Sequence, residues 1–239
     1  VIMCGADATD HYGEYLAKGA DYCLLGEGEE TLIELLDQLS AGKEAGQVIG
    51  VASRNTLRPS RRPDISDLDK LPFPAWDLVD VERYRKLWLE HHGYFSMNMV
   101  TTRGCPYHCN WCAKPIWGQR YNSRSPENVA VEMKWLKENF APDHIWFADD
   151  ILGLKPNWIE HFAELLREAD AVIPFKCLMR ADLVNEKTAR ALAKAGCKTV
   201  WLGAESGSQK ILDAMDKGDK VEDIYRAAKL LRQNGIEVG

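Results

Sequence analysis

The chain has 239 residues, 46% of them hydrophobic and 28% charged, which is enough for one large domain or for one moderate domain and part of another. Its net charge of -6 gives no broad basic surface, and this argues against nucleic acid as a partner. The sequence contains no apolar run long enough to span a membrane.

Residues 1–51 alternate short apolar runs with helical patterns, which is typical of parallel β/α units. The predicted elements are strands at Val1–Cys4, Tyr22–Leu25 and Val48–Val51, with helices at His11–Lys18 and Glu29–Leu39. The second helix carries four leucines on one face, namely Leu32, Leu35, Leu36 and Leu39. We therefore predict half of a doubly wound sheet. The turn at Gly26–Thr31 is either a tight turn with acidic residues at a helix N-terminus or a ligand contact.

Residues 52–93 lose this periodicity, and prolines alternate with charged residues. These prolines are Pro59, Pro63, Pro72 and Pro74. The pattern predicts an ordered connector between two domains. Its Pro72–Trp76 segment is apolar enough to pack against a neighbour.

The β/α pattern resumes at Tyr94 and continues to the end of the chain. Strands are predicted at Tyr94–Val100, His144–Ala148, Phe175–Met179, Lys198–Leu202 and after Gly235, with helices between them. Ser125 and Asn185 are expected to cap two of these helices. Five strands in one direction indicate part of a parallel barrel, whose chemistry is expected at the C-terminal ends of the strands.

Polar residues follow these strands where such a barrel would hold its active site. Asp149 and Asp150 follow the second strand, Arg180 the third, and Glu205 with Ser206 the fourth. Each group has a structural alternative, because a carboxylate can cap a turn, Arg180 can pair with Asp182, and Glu205 with Ser206 can begin a helix. Four such sites at one barrel mouth, counting the loop after the first strand, favour a shared pocket.

The first strand leads into a loop in which Cys105, Cys109 and Cys112 are spaced by four and three residues. Thiolates are soft ligands, and three of them can hold three irons of a cubane iron–sulfur cluster, leaving the fourth iron for a small molecule. Gly104 permits a tight turn, and Pro106 ends the preceding strand. The alternatives are a zinc site, for which two Cys-x2-Cys pairs or a Cys/His mixture is expected, and a ferredoxin-like carrier with a fourth cysteine.

The other four cysteines lie in apolar segments and are predicted to be small buried side chains. They are Cys4, Cys23, Cys177 and Cys197. Seven cysteines distributed in this way do not resemble a disulfide framework, and a reducing cytoplasm fits them better.

With its Cys-x3-Cys-x2-Cys motif and Trp111 before the last cysteine, the chain resembles the radical S-adenosylmethionine (SAM) superfamily. The resemblance implies that the three thiolates hold a [4Fe-4S] cluster whose fourth iron chelates SAM, and that an electron cleaves SAM to a 5′-deoxyadenosyl radical. It further implies a small-molecule substrate and an external electron donor such as flavodoxin or ferredoxin. The implied SAM contacts are Trp111 for the adenine, the Asp149–Asp150 strand end for the amino group, Arg180 for the carboxylate, and Glu205 with Ser206 for the ribose hydroxyls.

The first half is similar to the end of a cobalamin-binding domain of the kind found in cobalamin-dependent radical SAM enzymes. The similarity rests on Gly5–Thr9, Gly26–Thr31 and Leu71–Asp77. The Asp-x-His-x-x-Gly signature of many cobalamin domains is not present, and Asp10–Gly13 has the residue types at the wrong spacing. Cobalamin binding is therefore expected from the resemblance without a predicted cobalt ligand.

The two resemblances together imply an α/β protein with three parts. These are the C-terminal part of a Rossmann-like cobalamin-binding domain (1–51), a connector (52–93) and a partial (β/α) radical SAM barrel (94–239). Because the chain begins and ends within predicted strands, we expect both domains to be truncated.

The implied activity is reductive cleavage of SAM followed, when cobalamin is bound, by methyl transfer to an unactivated carbon or phosphorus centre. An oxidative cyclase or rearrangement enzyme, as in the anaerobic porphyrin cyclase of this architecture, is the enzymatic alternative. An RNA-modifying radical SAM protein and a non-catalytic metal-binding module are the remaining alternatives.

Overall fold

The computed structural model describes residues 1–56, 59–113 and 117–239. They form two compact units, the first from Val1–Ser66 with Ala113–Arg120 and the second from Asp67–Cys112 with Tyr121–Gly239. The predicted connector, residues 52–93, is divided between the two units, and the predicted domain bounds stay a prediction.

The first unit contains a three-stranded sheet in the order β1 (Ile2–Met3), β2 (Tyr22–Leu24) and β3 (Val51–Ser53). Its helices are α1 (Ala6–Asp10), α2 (Tyr12–Ala17) and α3 (Glu29–Ser40). β1 and β2 are parallel, as predicted. β3 is antiparallel to β2, so the prediction of a parallel third strand at Val48–Val51 is wrong. An apolar run does not encode strand direction, and a 3₁₀ turn at Ala45–Gln47 redirects the chain before β3.

α3 buries a narrower stripe than its leucines predict. Leu35 is fully buried, whereas Leu32, Leu36 and Leu39 are 37%, 46% and 36% exposed. Leu35 shares its small core with Leu24, Val48 and Val51. Three short strands offer a helix only this limited apolar surface.

Glu27, in the turn before α3, has a structural role. It is 8% exposed, and its Oε1 accepts a hydrogen bond from Trp117 Nε1 at 2.9 Å. The same carboxylate accepts a hydrogen bond from the backbone N–H of Ile65. These contacts favour the tight-turn interpretation of Gly26–Thr31 over a ligand contact.

The strands of the second unit are β4 (Ser96–Met99), β5 (Thr102–Arg103), β6 (Asn122–Ser123), β7 (His144–Phe147), β8 (Phe175–Met179), β9 (Cys197–Leu202) and β10 (Glu237–Val238). Its helices are α4 (Val81–His92), α5 (Pro126–Phe140), α6 (Trp158–Glu168), α7 (Glu186–Ala195), α8 (Gln209–Ala214) and α9 (Val221–Gln233). Five strands form one sheet in the order β10-β9-β8-β7-β4, and every neighbouring pair is parallel. The predicted α/β fold with a parallel sheet is confirmed.

α5, α6, α7 and α9 bury one face of this sheet. The core between them includes Phe147, Phe162 and Phe175, and the Phe147 and Phe175 rings meet edge to face with centroids 5.0 Å apart. Because side chains alternate along a strand, Asn98, Trp146, Lys176 and Trp201 lie on the opposite face, which we call the inner face. Within the described residues, none of the helices has the length and apolarity needed to cross a membrane.

α4 lies inside the predicted connector and was missed because it lacks an apolar stripe. Val81 is its buried residue, and the rest of the helix is exposed or half-buried. Its ends nevertheless carry ordinary helix signals, which sequence reasoning could have used. Asp80 accepts a hydrogen bond from the backbone N–H of Arg83 at 3.1 Å, and Gly93 ends the helix with a φ of 77°.

The predicted caps of α5 and α7 are confirmed. Ser125 Oγ accepts a hydrogen bond from the Asn128 N–H at 3.1 Å, and Asn185 Oδ1 accepts one from the Thr188 N–H at 3.0 Å. Gly196 ends α7 with a φ of 98°, and a Cβ there would lie 2.8 Å from Val172 Cγ1 and 3.2 Å from the Ile173 carbonyl oxygen. The chain therefore needs glycine at this position for both its conformation and its close packing.

We expect Gly196→Ala to lower the free energy of unfolding by about 2 kcal/mol or more, because alanine adds a clash to the strain of a positive φ. Gly235→Ala is the matched control, since Gly235 also has a positive φ, 72°, but no atom within 4 Å of a Cβ. The control should lose about 1 kcal/mol. Urea unfolding measures both, and equal losses would show that packing at Gly196 contributes nothing.

Candidate functional site

The carboxylate of Asp149 holds the start of the cysteine loop, residues 101–112. Asp149 follows β7 and is 2% exposed. Its Oδ1 accepts hydrogen bonds from the backbone N–H groups of Thr101 at 2.7 Å and Thr102 at 2.8 Å, and its Oδ2 accepts one from Thr101 Oγ1 at 2.8 Å. Burial raises the pKa of Asp149 to about 6, against the opposing effect of these donors. Asp149 therefore fixes the point where the loop leaves the sheet.

Arg180 makes the second contact with this loop. It follows β8, is 4% exposed, and its guanidinium lies over the Tyr107 ring, 3.5 Å from the centroid. Its Nε and Nη2 donate to Asp182 at 3.1 and 3.0 Å, so the pairing proposed from sequence as a structural alternative is present.

Two further contacts hold Arg180 from the segment between α8 and α9. Nη1 donates to the Lys217 carbonyl at 3.0 Å, and Nη2 contacts the Asp219 carboxylate. Asp219 is 2% exposed, and burial raises its pKa to about 6. Its Oδ2 has no hydrogen-bond partner among the described residues. Most of the Arg180 donors are thus used inside the protein, and sequence reasoning missed Asp219.

Asn110 makes the third contact. Its backbone N–H donates to the Met215 carbonyl at 3.0 Å, and its Nδ2 donates to the Ala214 carbonyl at 2.7 Å. The antiparallel pairing of β5 with β6 adds a fourth constraint, with Thr102 opposite Ser123. The cysteine loop is therefore tied to the residues that follow β7, β8 and α8.

The three thiols of the loop differ in exposure. Cys105 and Cys109 are half-buried, Cys112 is exposed, and all three are free of disulfides. Among the described residues, no three His, Cys, Asp or Glu side chains form a group that could hold a single metal ion. A cubane cluster binds each thiolate through a separate iron, so three soft donors on one short loop are the donor set that such a cluster takes.

For the four cysteines outside the loop, the prediction of burial is confirmed in three cases. Cys23, Cys177 and Cys197 are buried. Cys4 is exposed, so the prediction that it is buried is wrong. It directly follows the two-residue strand β1, where the chain has left the small core.

Glu205 and Ser206 follow β9, as the sequence indicates. Glu205 has a φ of 58°, and its Oε1 accepts a hydrogen bond from Lys217 Nζ at 3.3 Å. Ser206 Oγ accepts one from the Ser208 N–H at 3.1 Å. Lys217 is 6% exposed, and a Cβ at Gly203 would lie 3.0 Å from its Nζ. Sequence reasoning missed Lys217. The available signal was a lysine in a charged segment between α8 and α9.

The structure gives the predicted cofactor contacts different surroundings, and Glu205 and Ser206 lie in the turn after β9. Asp149 and Arg180 contact the cysteine loop directly, whereas Trp111 and Asp150 are exposed, with Trp111 54% exposed. The roles of these residues toward a cofactor stay predictions.

The inner face carries a lysine between two indole rings. Lys176 Nζ lies 3.9 Å from the Trp146 ring centroid and 4.9 Å from the Trp201 ring centroid. His144 is close by, and its Nδ1 lies 2.9 Å from Ser96 Oγ. Burial, together with the charge of Lys176, lowers the pKa of His144 to about 4, so its imidazole is neutral at pH 7.

The chain is similar to known proteins in sequence and in fold. Residues 99–239 match the family model of the radical SAM superfamily. An uncharacterized methyltransferase of Pyrococcus horikoshii is 30% identical over 220 residues, covering 90% of this chain and 47% of that protein. The anaerobic magnesium-protoporphyrin IX monomethyl ester cyclase of Synechocystis sp. is 27% identical, covering 99% of this chain and 48% of that protein.

A solved structure shows the same fold. It is the cobalamin-dependent SAM radical enzyme OxsB with aqua-cobalamin and SAM bound, with a TM-score of 0.83 over 99% of this chain and 35% of that chain. The sequence identity is 21%, so this likeness concerns the fold alone. The chain spans about half the length of the curated relatives described above.

We expect Asp149→Ala to lower the free energy of unfolding by about 3 kcal/mol, because two backbone N–H groups and one hydroxyl lose a buried acceptor. Asp150→Ala is the matched control, since Asp150 is adjacent and exposed. It should change stability by no more than about 0.5 kcal/mol. Urea unfolding of both variants without SAM tests this, and similar losses would contradict the anchoring role of Asp149.

The lowered pKa of His144 predicts a pH dependence of stability. An unfolded histidine takes up a proton below about pH 6.5, whereas folded His144 does so only near pH 4. The contribution of His144 to the free energy of unfolding is therefore fully present above pH 6.5. It is lost as the pH falls toward 4, and the loss reaches up to about 3 kcal/mol. Relative to His144→Gln, wild type should lose this amount between pH 7 and 4 in urea unfolding. A difference that is constant with pH would contradict the assignment.

Proposed function

Because the chain belongs to the radical SAM superfamily, we propose that it is part of an enzyme that cleaves SAM reductively and transfers a methyl group with the help of cobalamin. The observation that carries the proposal is the cysteine loop with its three thiols. Asn110 ties this loop to the end of α8, and Asp149 and Arg180 tie it to the C-terminal side of a parallel sheet. In parallel α/β proteins this side holds the active site.

Within this proposal, Cys105, Cys109 and Cys112 hold a [4Fe-4S] cluster. When bound, the cluster and SAM supply a 5′-deoxyadenosyl radical, and cobalamin supplies a methyl group. The protein keeps the thiols together by holding the two ends of their loop, so the donor set is organised before a cluster binds. Asp149 is buried and fully used in this task.

The residues with free polar surface are assigned to SAM. Asp150 is exposed beside the anchor, and its carboxylate suits the SAM amino group. Trp111 is exposed and offers a ring for the adenine. Glu205 and Ser206 offer oxygen atoms for the ribose hydroxyls. Arg180 serves mainly to position Tyr107 and keeps only a minor share of its donors for the SAM carboxylate.

Cobalamin is supported by resemblance rather than by a ligand in this chain. The Asp-x-His-x-x-Gly signature is absent from the sequence. The fold match to OxsB spans both units of the chain. The substrate is a small molecule, and an external one-electron donor such as flavodoxin or ferredoxin supplies the electron. Oxidative cyclisation is the second candidate reaction, because the chain is 27% identical to the Synechocystis cyclase.

We expect the full-length protein, reconstituted anaerobically with iron and sulfide, to release 5′-deoxyadenosine from SAM when dithionite is added. Cys105→Ala should bind less iron and release no 5′-deoxyadenosine above background, because it removes one of three cluster ligands. Cys4→Ala is the matched control, since Cys4 is an exposed free cysteine outside the loop. Equal product from wild type and Cys105→Ala, measured by chromatography with mass spectrometry, would overturn the proposal.

A further inference from the structure

Lys176 is a half-buried cation that has no anionic partner in the part of the chain that the structure describes. Its ammonium is held between Trp146 and Trp201. No carboxylate among the described residues lies within ion-pairing distance of its Nζ. A charge withdrawn from water is normally paired, and cation–π contacts replace only part of the lost hydration. The site therefore favours an anion from outside the chain.

The neighbouring groups do not neutralise this charge. His144 cannot supply an anion, and its neutral ring only adds a polar atom near the lysine. Glu237 lies on the same face, but two strands away from Lys176, with Thr199 between them in the register. At a strand spacing of about 4.8 Å, their backbones are about 10 Å apart.

Trp146 adds a second signal for a ligand. Its indole Nε1 is buried and has no hydrogen-bond partner among the described residues. A buried donor without an acceptor costs about 1–3 kcal/mol, so such groups call for an explanation. An anion bound at Lys176 would bring acceptor oxygens next to this indole.

Trp201 supplies a flat apolar surface beside the cation. Its ring is 44% exposed and meets the Trp146 ring edge to face at a centroid distance of 6.0 Å. Lys176 lies on β8, and Arg180 follows that strand four residues later, about 13 Å further along the extended chain. An anionic group at Lys176 is thus remote from the cysteine loop. Trp146 lies opposite Lys176 in the register, and Trp201 lies opposite Leu178, closer to the loop end of the sheet.

We propose that the inner face binds an organic anion with a planar apolar body, its anionic group at Lys176 and its body along Trp146 and Trp201. Calling this ligand the substrate rests on the proposed function, whereas the binding itself does not. Lys176 is then a specificity-determining residue that selects carboxylate-bearing or phosphate-bearing substrates and sets the distance between their charge and their reacting atom.

The test uses the full-length protein without a cluster and two probes of the same shape, 1-naphthoate and the neutral 1-naphthamide. Binding is followed by tryptophan fluorescence and by calorimetry. Wild type should bind naphthoate at least tenfold more tightly than naphthamide. Lys176→Gln should abolish this preference, Lys176→Arg should restore it to within about threefold, and the exposed-lysine control Lys198→Gln should leave it unchanged.

Equal affinity of wild type for the two probes, or an unchanged preference in Lys176→Gln, would overturn the inference. Thermal melts of the Lys176 variants show whether the fold is retained, and restoration by arginine separates loss of charge from loss of structure. The outcome is independent of SAM cleavage. Anion selectivity without 5′-deoxyadenosine formation would contradict the proposed function alone. Formation of 5′-deoxyadenosine without anion selectivity would contradict the inference alone.

Discussion

The candidate site depends on one buried carboxylate. Asp149 accepts three hydrogen bonds from two consecutive residues, Thr101 and Thr102, at the point where the chain leaves β4. Two adjacent backbone N–H groups aimed at one oxygen fix the direction of the chain as well as its position. Because Asp149 follows the neighbouring strand β7, the sheet itself sets the starting geometry of the cysteine loop. The three cysteines can then lie close together in sequence and still take up a defined arrangement.

Arg180 extends this constraint to the far side of the loop. Its guanidinium is planar and contacts carboxylates with its edge while its face lies on Tyr107. Lysine could not do both, since an ammonium has no face to stack. The arginine also joins the residues after β8 to those between α8 and α9, through Lys217 and Asp219. The loop is therefore held by three segments that are distant in sequence.

Local signals in the sequence predicted most of the second unit. Strand positions, the Ser125 and Asn185 caps and the polar residues at the strand ends depend on periodicity and on short-range hydrogen bonds. The direction of β3 was missed because an apolar run does not encode strand direction, and helix α4 was missed because it lacks an apolar stripe. The exposure of three α3 leucines depends on how little apolar surface the short strands offer. Lys217 and Asp219 could not be assigned to the site, since their partners lie far away in the chain.

The residue types in the sequence predict where polar side chains cluster, but not which of them hydrogen-bond within the protein and which stay exposed. Asp149 and Asp150 are neighbours of the same residue type. Asp149 nevertheless accepts hydrogen bonds from the backbone of Thr101 and Thr102, whereas Asp150 is exposed. Both residues follow β7, and they differ in that Asp149 is buried against the Thr101–Thr102 backbone whereas Asp150 faces solvent. Lys176 and Lys217 differ in the same way, since Lys217 has Glu205 as its partner, whereas the partners of Lys176 among the described residues are aromatic rings. Positions whose bonding capacity the protein leaves unused are the ones available to a ligand.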